Sequence, residues 1–183
     1  MEPNFHALQL IAEIAIGIVG FSAILIALSR SSDVFSGPDN FRVRLLTYSA
    51  FGAMFGGLLP FGIFNINDAD LSWKIICWSI CLYSVIGLLI FPKRMLLLRA
   101  QGYEHIFPIK LFILQTGLLA TIFIASGLMI AGYLQALTNI YVGCLILFLV
   151  QSTLASVPYK HLRAHETRYD LVCRPLLYKK HNE

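Results

Sequence analysis

The sequence predicts an all-α polytopic membrane protein: a bundle of five transmembrane helices with the N-terminus outside and the C-terminus in the cytoplasm. Three observations predict it. Of 183 residues, 57% are apolar and only 13% are charged, against about 25% charged in a soluble domain. A single core of this size cannot bury so many apolar side chains, so the excess requires lipid as its solvent. Five segments reach the ~20 mostly apolar residues that a spanning helix needs. All but Lys74 of the 14 Lys and Arg residues then fall on one side of the bilayer. The length suits one compact domain.

The first span covers residues 5–28. The opening MEPNFHALQL lacks the Lys/Arg-rich start of a signal peptide, and no small-residue cleavage site follows, so the segment reads as a retained helix. The second span covers 45–64. It is preceded by Ser36-Gly37-Pro38-Asp39-Asn40, a helix-start cluster with a capping Ser, an early Pro and an early acid. The polar stretch 65–70 leads into the third span, 73–91. Gly102 and Pro108 bracket the next connection. Residues 109–157 form one long apolar stretch. As a single helix at ~1.5 Å per residue it would run about 70 Å, far more than a ~30 Å hydrocarbon core. It is therefore expected to fold back within 132–139, giving spans 109–130 and 136–157. Residues 158–183 form a basic cytoplasmic tail.

The orientation follows from charge. Arg30, Arg42 and Arg44 flank the first connection, and Lys93, Arg94, Arg99 and Lys110 the third. The tail adds Lys160, Arg163, Arg168, Arg174, Lys179 and Lys180. Positive residues mark the cytoplasmic side. Trp73, Trp78, Tyr133 and Tyr141 fall near the outer boundary, where aromatic belts lie.

Glu13 is the one acid expected inside the membrane, about two turns into the first helix. A charge at that depth is costly, which makes such a residue a functional candidate. No Lys or Arg lies at comparable depth, so an ion pair is not expected. Glu13 reads either as part of a cation or proton path, or as a carboxyl bonded to a hydroxyl such as Ser79, Tyr83, Ser84 or Ser126, or as a group snorkelling to the headgroups. Gly17 and Gly20 lie one and two turns below it on roughly the same face. Small residues there admit a second helix, which favours a protein-facing Glu13. Gly52, Gly56 and Gly57 form a second small-residue seam. Toward the cytoplasmic side Thr47, Tyr48, Ser49, Gln115, Thr116, Gln151, Ser152 and Thr153 gather on different helices. They read as inter-helix hydrogen bonds or, with Gln115 and Gln151 in the ion path, as a vestibule leading to Glu13.

The other candidates carry less chemistry. Cys77, Cys81, Cys144 and Cys173 form no C-x-x-C pair and read as packing residues. Lys93, Arg94 and Arg99 stand among apolar residues and suit anionic lipid headgroups at about 1 kcal/mol each. His161 and His165 share one helix face in the tail, a spacing that can ligate a metal, but no third ligand is evident. No cofactor, no catalytic constellation and no nucleic-acid partner is expected, since the topology already accounts for the basic excess. The expected function is an oligomeric channel or transporter-like protein, multi-pass in the cell membrane (the inner membrane in a bacterium), built as a homo-oligomer because five short helices enclose little volume alone. The alternative is a non-catalytic membrane subunit that holds a partner through its Gly-rich faces.

Overall fold

In the computed structural model, residues 3–30, 37–64, 68–103, 108–134 and 136–156 are described, and those in regular structure are all helical. The helices are α1 (Phe5–Arg30), α2 (Gly37–Ile63), α3 (Ala69–Ala100), α4 (Ile109–Ile130) and α5 (Leu137–Ser156). All five are long and apolar enough to cross a membrane, with mean hydropathy from 1.3 to 2.2 in their most apolar stretches. The described residues thus hold the five apolar helices that the sequence predicts.

Hydropathy located the fourth span to the residue and the fifth to within one, but it underestimated α2 and α3. Helix α2 starts at Gly37 instead of 45, with Pro38 in its first turn. There a missing N–H removes no helical hydrogen bond. Helix α3 continues through Pro92 to Ala100, well beyond 91. The apolar window stops where Lys93 and Arg94 begin, but the helix does not. Cations near a helix C-terminus suit its dipole, and Met95 and Leu98 stay buried.

Two turns end in the same way. Gly102 has φ +94° and Gly132 φ +77°, a left-handed conformation that only glycine takes without strain. At the first, Gly102 N–H bonds Arg99 O at 3.1 Å and Tyr103 N–H bonds Leu98 O at 3.3 Å. At the second, Gly132 N–H bonds Met129 O and Tyr133 N–H bonds Leu128 O, both at 3.2 Å. Both are Schellman caps, which close orphan carbonyls at a helix end. Gly132 is what folds the long apolar stretch back on itself.

Helix α2 is the centre of the bundle. It packs against α1, α3 and α5, and α4 closes the far side against α3 and α5. A main core of Leu8, Ile11, Ile76, Ile122, Leu145 and Phe148 fills the middle. A smaller cluster around Phe41, Leu45, Leu46 and Phe91 sits at the end that carries Arg42, Arg44, Lys93 and Arg94, here called the basic end. Lys74 lies at the opposite end, paired with Asp70 at 2.7 Å. Outward faces are apolar, with Phe21, Ile24, Trp78, Leu82, Leu89, Ile113 and Ile124 exposed. An apolar surface of that extent suits lipid contact.

Close approach comes from α2's glycines. A Cβ on Gly52 would lie 2.7 Å from the Tyr83 ring, and one on Gly57 2.9 Å from the Leu8 carbonyl oxygen. A Cβ on Gly56 would overlap Leu145. Between α2 and α3 the arrangement is reciprocal. Tyr83 O–H donates to Tyr48 O at 2.7 Å, Tyr48 O–H donates to Tyr83 O, and the rings stack 4.3 Å apart. Tyr83 lies over Gly52 and Tyr48 over Gly87.

Candidate functional site

Two polar features stand out in the bundle. The first is on α1. Leu8, Ile11, Ala12 and Ala15 are its apolar small-to-medium face and are buried against the bundle. Three or four residues on from one another, His6, Gln9, Glu13, Gly17 and Gly20 are all exposed and form a stripe on the opposite side. Glu13 therefore points out of its own bundle. At ~1.5 Å per residue it lies about 12 Å along the helix from Phe5, well inside the apolar span.

Among the described residues, Glu13 bonds no neighbouring helix. Gln9 Nε2 donates to Glu13 Oε1 at 2.9 Å, one turn away in the same helix. The expected hydroxyl partners are engaged elsewhere: Ser79, Ser84 and Ser126 each donate to a carbonyl of their own helix, and Tyr83 to Tyr48 O. The protein-facing Glu13 expected from Gly17 and Gly20 is not found within the chain. The reason is that α1 packs inward on the face of Leu8, Ile11, Ala12 and Ala15, which leaves both glycines uncovered among the described residues, with nothing within 4 Å of a Cβ built on either.

The second feature lies at the basic end. Gln115 on α4 and Gln151 on α5 are buried, 5% and 0% exposed. They line one small cavity with Thr116, Phe41, Leu45, Phe91, Pro92, Met95 and Leu119. Gln115 Oε1 and both polar atoms of the Gln151 amide have no hydrogen-bond partner among the described residues, and the same holds for Ser49 Oγ. Apart from Thr116, the rest of the expected cluster does not line that cavity. Thr47 bonds Ser22 Oγ at 3.3 Å, while Ser152 and Thr153 bond carbonyls of their own helix. The two amides are enclosed by the chain, whereas Glu13 faces away from it, so the structure does not bring these residues together.

Sequence reading missed three participants. Gln9 is separated from Glu13 by one helical turn, a spacing visible in the sequence. Arg42, read as a loop charge, lies inside α2 and is 5% exposed. Tyr141, read as a boundary aromatic, is fully buried and donates to Gly56 O at 2.7 Å. Pro60 explains that bond: lacking an N–H, it cannot bond the carbonyl four residues back, which is Gly56, and a neighbouring helix supplies the donor instead.

Lys93 and Arg94 are exposed at the basic end and Arg99 is half-buried. Cys77, Cys81 and Cys144 are buried free thiols. Among the described residues no group of three or more His, Cys, Asp and Glu side chains could hold a metal ion. His161, His165, Cys173 and the rest of the basic tail lie outside the described residues. No known protein family, curated protein or solved structure matches the chain.

Proposed function

We propose that the protein is a homo-oligomeric channel or transporter-like protein whose copies meet through α1, with Glu13 on a cation or proton path at the axis between them. One observation carries this reading: the Gln9–Glu13 pair points outward from an apolar span, above two glycines that nothing among the described residues covers. A charged group at mid-membrane depth costs about 2.5–3.5 kcal/mol on insertion scales. A second copy of α1 would remove that exposure and would find room beside Gly17 and Gly20. Around a symmetry axis the carboxyls of several copies would face one another and water. The path belongs to the assembly, since Glu13 faces outward from its own chain.

The proposal keeps the N-terminus outside and the basic end in the cytoplasm of the cell membrane, on the distribution of Lys and Arg. Lys93 and Arg94 would there meet anionic headgroups. It assigns no catalytic step. Proton and cation flux into liposomes tests it, comparing the native chain with Glu13→Gln. The variant should keep the shape and hydrogen-bonding capacity of the site but lose flux at least tenfold. Equal flux would take Glu13 out of the path. Stoichiometric co-purification of a different protein, with no homo-oligomer, would support the subunit reading instead.

A further inference from the structure

We propose that the ion moved along α1 is the proton, and that Ile24 closes the inner half of the path to metal cations. This rests on the reading of α1 as the lining of the axis between copies. Three observations converge. The outward stripe of α1 is polar on one side of Glu13 only: His6 and Gln9 lead to it from the start of the helix, and all three are exposed. Beyond Glu13 the stripe continues at the same three-to-four-residue spacing through Gly17, Gly20, Ile24 and Ala27, which are exposed and apolar. Ser22 is the one polar residue from 17 to 27, and it turns the other way. It is 1% exposed, donates to Val19 O at 2.7 Å and accepts from Thr47 Oγ1 at 3.3 Å.

A metal cation crossing a membrane either keeps water around it or exchanges that water for oxygen ligands on the wall. The inner stripe of α1 offers no side-chain oxygen. It leaves little room for water either, because Gly17 and Gly20 let neighbouring helices approach closely. Ile24 lies about 16 Å beyond Glu13 at ~1.5 Å per residue. It is 59% exposed and presents a branched apolar side chain on the stripe. Repeated around an axis, that side chain forms an apolar constriction, which excludes hydrated ions by dewetting. A proton asks for less. The Glu13 carboxylate takes a proton from water on the side of His6 and Gln9, and gives it to a transient file of water on the side of Ile24. The charge passes along hydrogen bonds, and no hydrated ion has to fit. Gln9 Nε2, at 2.9 Å from Glu13 Oε1, keeps the carboxyl on the stripe.

The experiment uses the full chain in liposomes and reads proton flux and K+ flux separately, for the native chain, Glu13→Gln, Ile24→Ser and Ile24→Val. The native chain should pass protons and hold K+ flux at the level of empty liposomes. Ile24→Ser should raise K+ flux at least tenfold, while Ile24→Val should not. K+ flux in the native chain that Glu13→Gln abolishes would overturn the proton assignment and leave the α1 path standing. Unchanged K+ exclusion in Ile24→Ser would overturn the role of Ile24. Flux of either ion that ignores Glu13→Gln, or no flux at all, would overturn the α1 path and this inference with it. The native-chain comparison decides the ion without any substitution at Ile24.

Discussion

Glu13 shows how far one residue can be read from its neighbours in sequence. Its place within an apolar helix was legible from the hydropathy pattern alone. Its direction was not. Gly17 and Gly20 suggested a covered face, but which face of α1 meets α2 depends on Leu8 and Ala12 fitting against Gly57, a contact between distant segments. Tyr141 and Pro60 make a second case, in which the local rule was legible and the partner was not. Proline at 60 must free the Gly56 carbonyl, but only the fold reveals that the Tyr141 hydroxyl takes it. Tyr141→Phe should therefore lower stability by about 1–3 kcal/mol, the cost of a buried carbonyl left unpaired. In a Pro60→Ala background the backbone N–H returns, and the same substitution should cost clearly less. Denaturation in mixed micelles of the two single variants and the double variant checks this. Equal losses in both backgrounds would show that the bond does not answer the proline.

At the scale of the element, small residues have two different meanings that sequence does not separate. Gly52, Gly56 and Gly57 are contact points where a side chain would meet Tyr83, Leu145 or the α1 backbone. Gly17 and Gly20 open onto nothing among the described residues. Substitution should sort them. Gly57→Leu is expected to destabilise the bundle by about 1–3 kcal/mol or more, as overpacking does, because the obstacle is backbone and cannot rotate away. Gly20→Leu should leave the unfolding midpoint of the single chain unchanged. Loss of fold in Gly20→Leu, with Gly57→Leu tolerated, would reverse the assignment. Helix lengths followed a similar pattern. Spans 109–130 and 136–157 were legible because glycine and polar residues end them, while α2 and α3 outran their apolar windows into segments where Arg42, Met95 and Leu98 still pack inward.

At the scale of the whole molecule, the five-helix architecture came from the hydropathy pattern alone, and the fold-back at Gly132 supports it. The order of packing did not. That α2 would sit at the centre, beside α5, is a long-range outcome of glycine seams and aromatic rings that fit one another. The polar residues therefore separate into an enclosed amide pair at the basic end and an outward stripe on α1, and do not form the vestibule that was one of two readings of the sequence. The account's central claim is that a second copy covers that stripe. Native mass spectrometry from lipid nanodiscs tests it most directly, on the native chain and on Gly20→Leu. The account predicts a discrete homo-oligomer for the native chain and monomers for the variant, both equally folded. Monomers from both, or an unchanged oligomer in Gly20→Leu, would contradict it.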